Sequence, residues 1–186
     1  MGDIVAVLGA GPVGQSAVAL AALAGAVRIA VIGDPASRLA FAARMGATDT
    51  IGLDVPPDER TARVRELTNG RGADVVIEAA GAPEAVAQAL DLVRDGGRVV
   101  ICGQYTDTGD VRIHPHWQIN RKHIEIRGCW GSDFSHFYRA VRLAARFGDK
   151  IPWRDMIGGR FSLEEAGLAL RAVERREVTK AVLVPQ

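Results

Sequence analysis

The sequence "VLGAGPVGQSA", residues 7–17, decides the fold, because Gly9, Gly11 and Gly14 in it form a Gly-x-Gly-x-x-Gly pattern. The apolar run at residues 4–8 predicts a buried strand, and the small residues at 12–24 predict a helix. Between a strand and a helix, this pattern is typical of a turn that binds the pyrophosphate of a dinucleotide. A glycine-rich turn without a ligand is the alternative interpretation.

Strand-length apolar runs alternate with segments of helical period from residue 4 to about residue 148, a pattern typical of a parallel sheet with helical crossovers. We therefore predict an α/β Rossmann domain over residues 1–150, with a doubly wound six-stranded parallel sheet and helices on both faces. The sixth strand contains Ile124 and Ile126, which alternate with charged residues, so we expect it at the sheet edge. Asp133 or Ser135 is expected to cap the helix that follows.

The C-terminal segment, residues 151–186, has a different organisation. Ser162 and Glu165 show the spacing of a capping box, which predicts a helix to about residue 175, and "KAVLV" predicts a last strand. One helix and one strand cannot form a domain alone, so we expect this segment to pack on other structure.

Composition excludes several classes of partner. The formal net charge of +1 gives no field for nucleic acid or anionic membranes, and no apolar run reaches the roughly 20 residues of a membrane span. Cys102 and Cys129 show no Cys-x-x-Cys spacing, so we expect buried, unpaired thiols and a reducing, cytoplasmic location. The N-terminus lacks the features of a signal peptide.

Asp34 directly follows the second predicted strand and stands where a carboxylate accepts hydrogen bonds from the adenosine ribose of a dinucleotide. The alternative is that Asp34 is the N-cap of the helix that begins near Pro35.

The segments "GAGPVG", "VIGDPASRLAFAARMGATDTI", "GADVVIEAAG", "LVRDGGRVVICG" and "FSLEEAGLALRAVERREVTKAVLVP" together resemble the medium-chain dehydrogenase/reductase family. The resemblance covers essentially the whole chain in unbroken order, and the Pro12-Val13 form of the turn resembles the zinc-type alcohol dehydrogenase branch. It implies an NAD(P)-dependent oxidoreductase acting on CH–OH groups. It also implies an N-terminal catalytic domain, absent here, that carries the zinc and the proton relay.

On this resemblance, the chain alone should bind a dinucleotide without appreciable turnover. It supplies no catalytic residue and no metal ligand, and the segment after about residue 161 would return to complete the absent domain. A stand-alone dinucleotide-binding sensor or scaffold module without catalysis is the alternative function.

The resemblance also implies which residues hold the cofactor. The pyrophosphate would lie against Gly9, Gly11, Pro12, Val13 and Gly14. The ribose and nicotinamide side would be lined by Ala80, Gly81, Cys102, Gly103 and Gln104, with the backbone near residues 128–130 close to the carboxamide. Lys180 matches a basic residue that reaches the pyrophosphate, although a solvated surface lysine explains it equally well.

Cofactor choice depends on three residues after the second strand. Gly33 occupies the usual acidic position of the family, and Asp34 falls one position later. A carboxylate repels a ribose 2′-phosphate, whereas Gly33 together with Arg38 would accommodate one. We favour NAD, with NADP as the alternative.

Two further expectations concern metal binding and assembly. His114 and His116 flank a proline and lack further evident ligands, so we interpret them as loop residues rather than a zinc site. The resemblance implies a homodimer through the edge strand near residues 123–128. Self-association through apolar residues of the C-terminal segment, such as Leu168, Val173 and Leu183, is the competing route.

Overall fold

The computed structural model describes residues 1–185, which divide into two compact units. The first unit is Met1–Gly131, and the second begins at Ser132. The sequence prediction drew its boundary after residue 150, whereas by compactness α5 (Phe134–Phe147) belongs to the second unit.

The first unit alternates strands with helices. Its elements are β1 (Ile4–Leu8), α1 (Pro12–Leu23), β2 (Arg28–Gly33), α2 (Ala36–Met45), β3 (Asp49–Gly52), α3 (Pro57–Leu67), β4 (Ala73–Glu78), α4 (Pro83–Leu92), β5 (Val93–Ile101), a π-helical turn (Pro115–Asn120) and β6 (Glu125–Gly128). Every strand pairing is parallel, in the order β3-β2-β1-β4-β5-β6. The predicted doubly wound six-stranded sheet is confirmed, with β6 at its edge.

The side chains of β1 alternate between the two faces of the sheet, as the two-residue period of a strand requires. Ala6 and Leu8 belong to a buried cluster that includes Val64 of α3 and Leu90 of α4. Val7 points the other way, since its Cγ1 lies 3.6 Å from the position that a Cβ on Gly14 of α1 would occupy. Helices therefore cover both faces of the sheet.

Two helix ends show well-defined caps, and the second of them was predicted. Gly46 ends α2 in the left-handed region at φ +116°, and a Cβ there would lie 2.8 Å from the Cβ of Ala22. At the start of α5, Asp133 Oδ1 accepts hydrogen bonds from the backbone N–H groups of Ser135 (2.8 Å) and His136 (3.2 Å). Asp133, rather than Ser135, is therefore the N-cap.

The turn-like sequence "RDGG" suggests a turn between α4 and a later strand, but the structure has no such turn at residues 92–98. The glycine pair lies inside β5, where the β4 partners jump from Val93 to Arg98. Gly96 adopts φ +68° in this irregularity, which explains why a turn sequence occurs within a strand.

The second unit contains a strand that the sequence did not predict. Besides α5 it consists of a short 3₁₀ turn (Trp153–Met156), β7 (Ile157–Phe161), α6 (Ala166–Glu174) and β8 (Lys180–Leu183). β7 pairs in parallel with β8, so the C-terminal segment is a β-α-β unit rather than a lone helix and strand.

The predicted start of α6 was too early. The N-cap position falls on Glu165, so the turn at residues 163–165 precedes the helix. The backbone N–H of Ser162 donates to Glu165 Oε2 (2.9 Å), which is one half of the predicted capping box. Across residues 1–185, no helix combines the length and the apolar character that a membrane span needs.

Candidate dinucleotide site

The turns after β1, β2, β4 and β5 lie side by side where the strand order reverses. The N–H of Gly9 donates to Ile32 O (2.8 Å), and the N–H of Ala79 donates to Leu8 O (2.8 Å). We call this row of turns, residues 9–14, 33–35, 79–82 and 102–105, the carboxyl edge. In open α/β sheets, ligands bind at such a switch point.

Gly9 and Gly14 are required by packing. Gly9 has φ +106°, and a Cβ on it would lie 2.7 Å from the backbone carbon of Ala79. A Cβ on Gly14 would lie 2.0 Å from Gly9 O, far inside van der Waals contact. Both neighbours are backbone atoms, so the turn and the first turn of α1 cannot admit a larger residue without moving.

Gly11 differs from both, because a Cβ on it would meet nothing within 4 Å. It is the N-cap of α1, with Pro12 next to it, and no side chain caps this helix. The first N–H groups of a helix have no intrahelical partners, and the helix dipole makes this end positive. The space beside Gly11 therefore suits an anionic group held by backbone N–H donors.

Gly33 ends β2 against the glycine turn. A Cβ on Gly33 would lie 2.8 Å from the Cβ and 2.9 Å from the N of Ala10, so no acidic side chain fits here. Asp34 follows at the carboxyl edge, half-buried. The N-cap position of α2 falls on Pro35, so Asp34 is not the N-cap of that helix.

Gln15 is a buried residue that the sequence analysis did not single out. Its side chain is fully buried, and its Nε2 donates to Ala10 O (3.2 Å) and to Arg38 O (2.8 Å). Gln15 thereby joins the glycine turn to α2. Arg38, which carries the predicted contact with a 2′-phosphate, is fixed beside the turn through its own backbone.

Glu78 is the second residue that sequence reasoning missed. It ends β4, is fully buried, and its carboxylate accepts hydrogen bonds from the N–H groups of Ala80 (2.8 Å), Gly81 (2.8 Å) and Gly103 (3.1 Å). The carboxylate therefore holds the turn after β4 against the turn after β5. The available signal was an acidic residue directly after the apolar run "VVI" at the end of β4.

The two glycines at this junction touch each other. A Cβ on Gly81 would lie 2.8 Å from Gly103 O, and one on Gly103 would lie 2.4 Å from Gly81 N. Thr108 Oγ1 donates to Gly81 O (3.0 Å) and also contacts Gln104 Oε1 (3.4 Å). The Nε2 of Gln104 is buried without a hydrogen-bond partner, so a donor remains to be satisfied at this end of the edge.

The two cysteines differ from the prediction that both are buried. Cys102 is half-buried, but Cys129 is exposed, because β6 is an edge strand whose four residues are all exposed. Burial, the neighbouring Cys129 thiol and the Glu78 carboxylate together raise the pKa of the Cys102 thiol to about 11. Trp130 follows Cys129 and stacks on Tyr105, with ring centroids 4.7 Å apart.

Most of the predicted cofactor residues lie along one edge of the first unit. These are Gly9, Gly11, Pro12, Val13, Gly14, Gly33, Asp34, Ala80, Gly81, Cys102, Gly103 and Gln104. Lys180 is exposed at the start of β8 in the second unit, so its contact with a pyrophosphate stays a prediction.

The histidines belong to the π-helical turn and its N-cap, where His114 Nδ1 accepts from the N–H of Trp117 (3.4 Å). Within residues 1–185, no three His, Cys, Asp or Glu side chains are grouped so that they could hold a metal ion.

Comparison with known proteins gives a consistent family assignment. Residues 12–146 match the zinc-binding dehydrogenase family. The chain is 41% identical over 182 residues to a 5-exo-hydroxycamphor dehydrogenase of Pseudomonas putida, covering 97% of this chain and 50% of that protein. It is 44% identical over 184 residues to an L-threonine 3-dehydrogenase of Bacillus velezensis, covering 99% and 52%.

Solved structures agree with the sequence relatives. An alcohol dehydrogenase from Thermotoga maritima superposes with a TM-score of 0.93 at 32% identity, over 100% of this chain and 50% of that one. An alcohol dehydrogenase from Thermus sp. ATN1 gives a TM-score of 0.83 at 33% identity, over 100% and 51%. The chain therefore spans about half the length of the relatives that it matches.

Proposed function

The chain belongs to the zinc-binding dehydrogenase family, and from that premise we propose that it is the dinucleotide-binding half of an NAD(P)-dependent oxidoreductase. The observation that carries the proposal is the glycine turn. Packing accounts for Gly9 and Gly14, but Gly11 faces open space. Close approach of a pyrophosphate to the backbone accounts for Gly11, the second glycine of the pattern.

For the complete protein we propose hydride transfer between an alcohol or carbonyl substrate and the nicotinamide ring, which supplies the hydride chemistry when it is bound. The relatives are dehydrogenases of a hydroxycamphor, of threonine and of alcohols, which favours a CH–OH substrate over a role as a sensor or scaffold without catalysis. Since the chain spans half their length, we assign the zinc and the proton relay to residues outside this chain. By itself it should bind cofactor with little turnover.

Each part of the carboxyl edge has a role in this proposal. The N-terminus of α1 offers N–H donors and a positive dipole end to the pyrophosphate. The Asp34 carboxylate accepts hydrogen bonds from the ribose hydroxyls. The buried Nε2 of Gln104, which has no hydrogen-bond partner among residues 1–185, donates to a polar group of the ligand on the nicotinamide side.

We propose NAD as the preferred cofactor and NADP as the alternative. An acidic residue at position 33 is sterically excluded by Ala10, so discrimination falls to Asp34, which repels a 2′-phosphate, and to Arg38, which attracts one. Asp34 directly follows β2 and lies at the carboxyl edge, whereas Arg38 lies within α2. This placement supports NAD.

Calorimetric titration of the chain with NAD, NADH, NADP and NADPH tests the proposal. We expect NAD(H) to bind, and Asp34→Ala to weaken binding about tenfold, which is about 1.4 kcal/mol, because hydrogen bonds to a charged acceptor are lost. Asp3→Ala, which removes a carboxylate at the opposite end of β1, should bind like wild type. Preference for NADP(H) would assign selection to Arg38, and no binding of any dinucleotide would contradict the proposal.

We also propose that the protein is a homodimer in which β6 of one copy pairs with β6 of the other. β6 is the sheet edge, and Ile126 on it is 41% exposed. The N–H of Cys129 donates to Ile101 O of β5 (2.9 Å). Because N–H directions alternate along a strand, the N–H of Ile126 points to the open edge, where a two-fold related strand can pair with it.

Sedimentation velocity checks this assembly. We expect wild type at twice the chain mass of 19.8 kDa and Ile126→Pro at the monomer mass, since proline removes an edge donor but leaves the pairing with β5 intact. Leu168→Asp is the matched control, because Leu168 is 51% exposed in the C-terminal segment that offers the competing route. If Leu168→Asp were a monomer and Ile126→Pro a dimer, the interface would lie in the C-terminal segment and not at β6.

A further inference from the structure

Cys102 and Cys129 lie beside each other at the ends of neighbouring strands. β5 and β6 pair in register up to Ile101 and Gly128, and the two cysteines are the next residues on each strand. The N–H of Cys129 still donates to Ile101 O (2.9 Å), so the pairing continues to the cysteines. The two side chains are close enough that the Cys129 thiol is one of the groups that raise the pKa of Cys102.

This placement is compatible with a covalent bond between the sulfurs. Neighbouring strands lie about 4.8 Å apart. A disulfide needs a Cα separation of roughly 4.4–6.8 Å. Residues that face each other across the ends of β5 and β6 meet this requirement without a change of strand register.

The two thiols differ in exposure, and the pKa of the Cys102 thiol is raised. Cys129 is exposed, whereas Cys102 is half-buried and has a pKa of about 11, raised first by burial and then by Cys129 and Glu78. An oxidant in solution therefore meets Cys129 first, and Cys102 stays protonated near neutral pH. The arrangement has one accessible thiol and one adjacent resolving thiol.

We propose that Cys102 and Cys129 form a reversible, peroxide-sensitive dithiol next to the cofactor site. Hydrogen peroxide transfers one oxygen to the sulfur of Cys129 as its O–O bond breaks, which gives a sulfenic acid and one water. The sulfur of Cys102 then attacks the sulfenic sulfur, the S–O bond breaks and a second water leaves. Two electrons pass from the thiols to the peroxide, and both thiol protons end in water.

The position of the pair couples it to the cofactor, a consequence that rests on the proposed function. Cys102 is followed by Gly103, which touches Gly81 and donates its N–H to the Glu78 carboxylate. Cys129 is followed by Trp130, which stacks on Tyr105. A bond between the sulfurs fixes both segments, so we expect the oxidised chain to bind NAD(H) several-fold more weakly, with recovery after reduction.

Thiol titration and intact mass of the full chain test the chemistry without reference to any cofactor. After treatment with hydrogen peroxide, wild type should lose both titratable thiols, lose the mass of two hydrogen atoms, and remain a single uncrosslinked chain on a denaturing, non-reducing gel. Cys102→Ser should stop at a sulfenic acid on Cys129 that a dimedone probe traps. Cys129→Ser should keep its remaining thiol under the same treatment.

Several results would overturn the proposal. Retention of both thiols in wild type, a disulfide between two chains, or loss of Cys102 in Cys129→Ser at the wild-type rate would each contradict it. Formation of the disulfide from the sulfenic acid of Cys129 should also become faster as pH rises from neutral towards 11, because the attacking form of Cys102 is its thiolate. Unchanged NAD(H) affinity after oxidation would refute the coupling between the thiols and the cofactor site. Absence of any dinucleotide binding would refute the proposed function, but the thiol titration and the mass measurement would still test the disulfide.

Discussion

Gly14→Ala should lose most of the stability of the first unit. The new Cβ would lie 2.0 Å from Gly9 O and 2.9 Å from the Gly9 carbonyl carbon, and neither atom belongs to a flexible side chain. To relieve this overlap, α1 must move away from the end of β1. That movement separates the buried Val18 and Ala19 from the sheet. We expect a loss of about 3–5 kcal/mol, more than the roughly 1–3 kcal/mol that is typical of overpacking, because the new methyl group overlaps backbone atoms.

Gly11→Ala is the matched variant, with the same methyl group added three residues earlier in the chain. Its Cβ meets nothing within 4 Å, and the backbone at φ −77°, ψ −177° is accessible to alanine. The stability should fall by about 1 kcal/mol or less, because alanine is a poorer N-cap than glycine. Dinucleotide affinity should fall at least tenfold, since the methyl group occupies the space that the pyrophosphate requires.

Thermal unfolding followed by circular dichroism, together with calorimetric titration, separates the two effects. Gly14→Ala should melt far below wild type, and Gly11→Ala should melt near it but bind poorly. Equal melting temperatures for Gly14→Ala and wild type would show that the turn can relax. Wild-type affinity in Gly11→Ala would remove the observation on which the proposed cofactor site rests.

The sheet could be predicted from the sequence because its central strands carry strong local signals. Apolar runs of strand length alternate with helical segments, and the glycine spacing at 9, 11 and 14 identifies the first crossover. Alternation at Ile124 and Ile126 placed β6 at the edge, where the structure has it. Buried parallel strands are continuous hydrophobic runs, so they can be identified in the sequence without knowledge of tertiary contacts.

β7 could not be predicted because its sequence, "IGGRF", has two glycines in five residues. Glycine disfavours a strand locally, but here tertiary packing requires it. A Cβ on Gly158 would lie 3.0 Å from the Cβ of Val178, and one on Gly159 would lie 2.6 Å from the Phe161 ring. The strand exists because β8 pairs with it, and that pairing is non-local.

The site was predicted in part. The glycine turn follows from spacing alone. The junction between the turns after β4 and β5 depends on Glu78, whose carboxylate links the nearby Ala80 and Gly81 to Gly103, a residue far away in the sequence. The cysteine pair was missed for the same reason, since only the register of β5 with β6 brings Cys102 to Cys129. The sequence can mark Glu78 as an acidic residue after an apolar run, but it does not show which distant residues the carboxylate and the cysteines contact.

Glu78→Ala should destabilise the first unit about as strongly as Gly14→Ala. Removal of the buried carboxylate leaves the N–H groups of Ala80, Gly81 and Gly103 without that acceptor, and each unsatisfied buried donor costs about 1–3 kcal/mol. The N–H of Gly103 also contacts Glu78 O (3.0 Å), which offsets part of the loss. We therefore expect a total loss of about 3–5 kcal/mol.

Glu78→Gln distinguishes the acceptor role from simple filling of space. Glutamine has nearly the same volume, but its NH₂ group is a donor and would face backbone donors that now meet a carboxylate oxygen. We expect a loss of about 2–3 kcal/mol and weaker NAD(H) binding in the folded protein, because Gly81 and Gly103 are no longer held together. Urea unfolding measures the stability of both variants, with Glu84→Ala on the exposed start of α4 as the control. If Glu78→Gln were as stable as wild type, the carboxylate would be dispensable, and the junction between the two turns would depend on the glycine contacts alone.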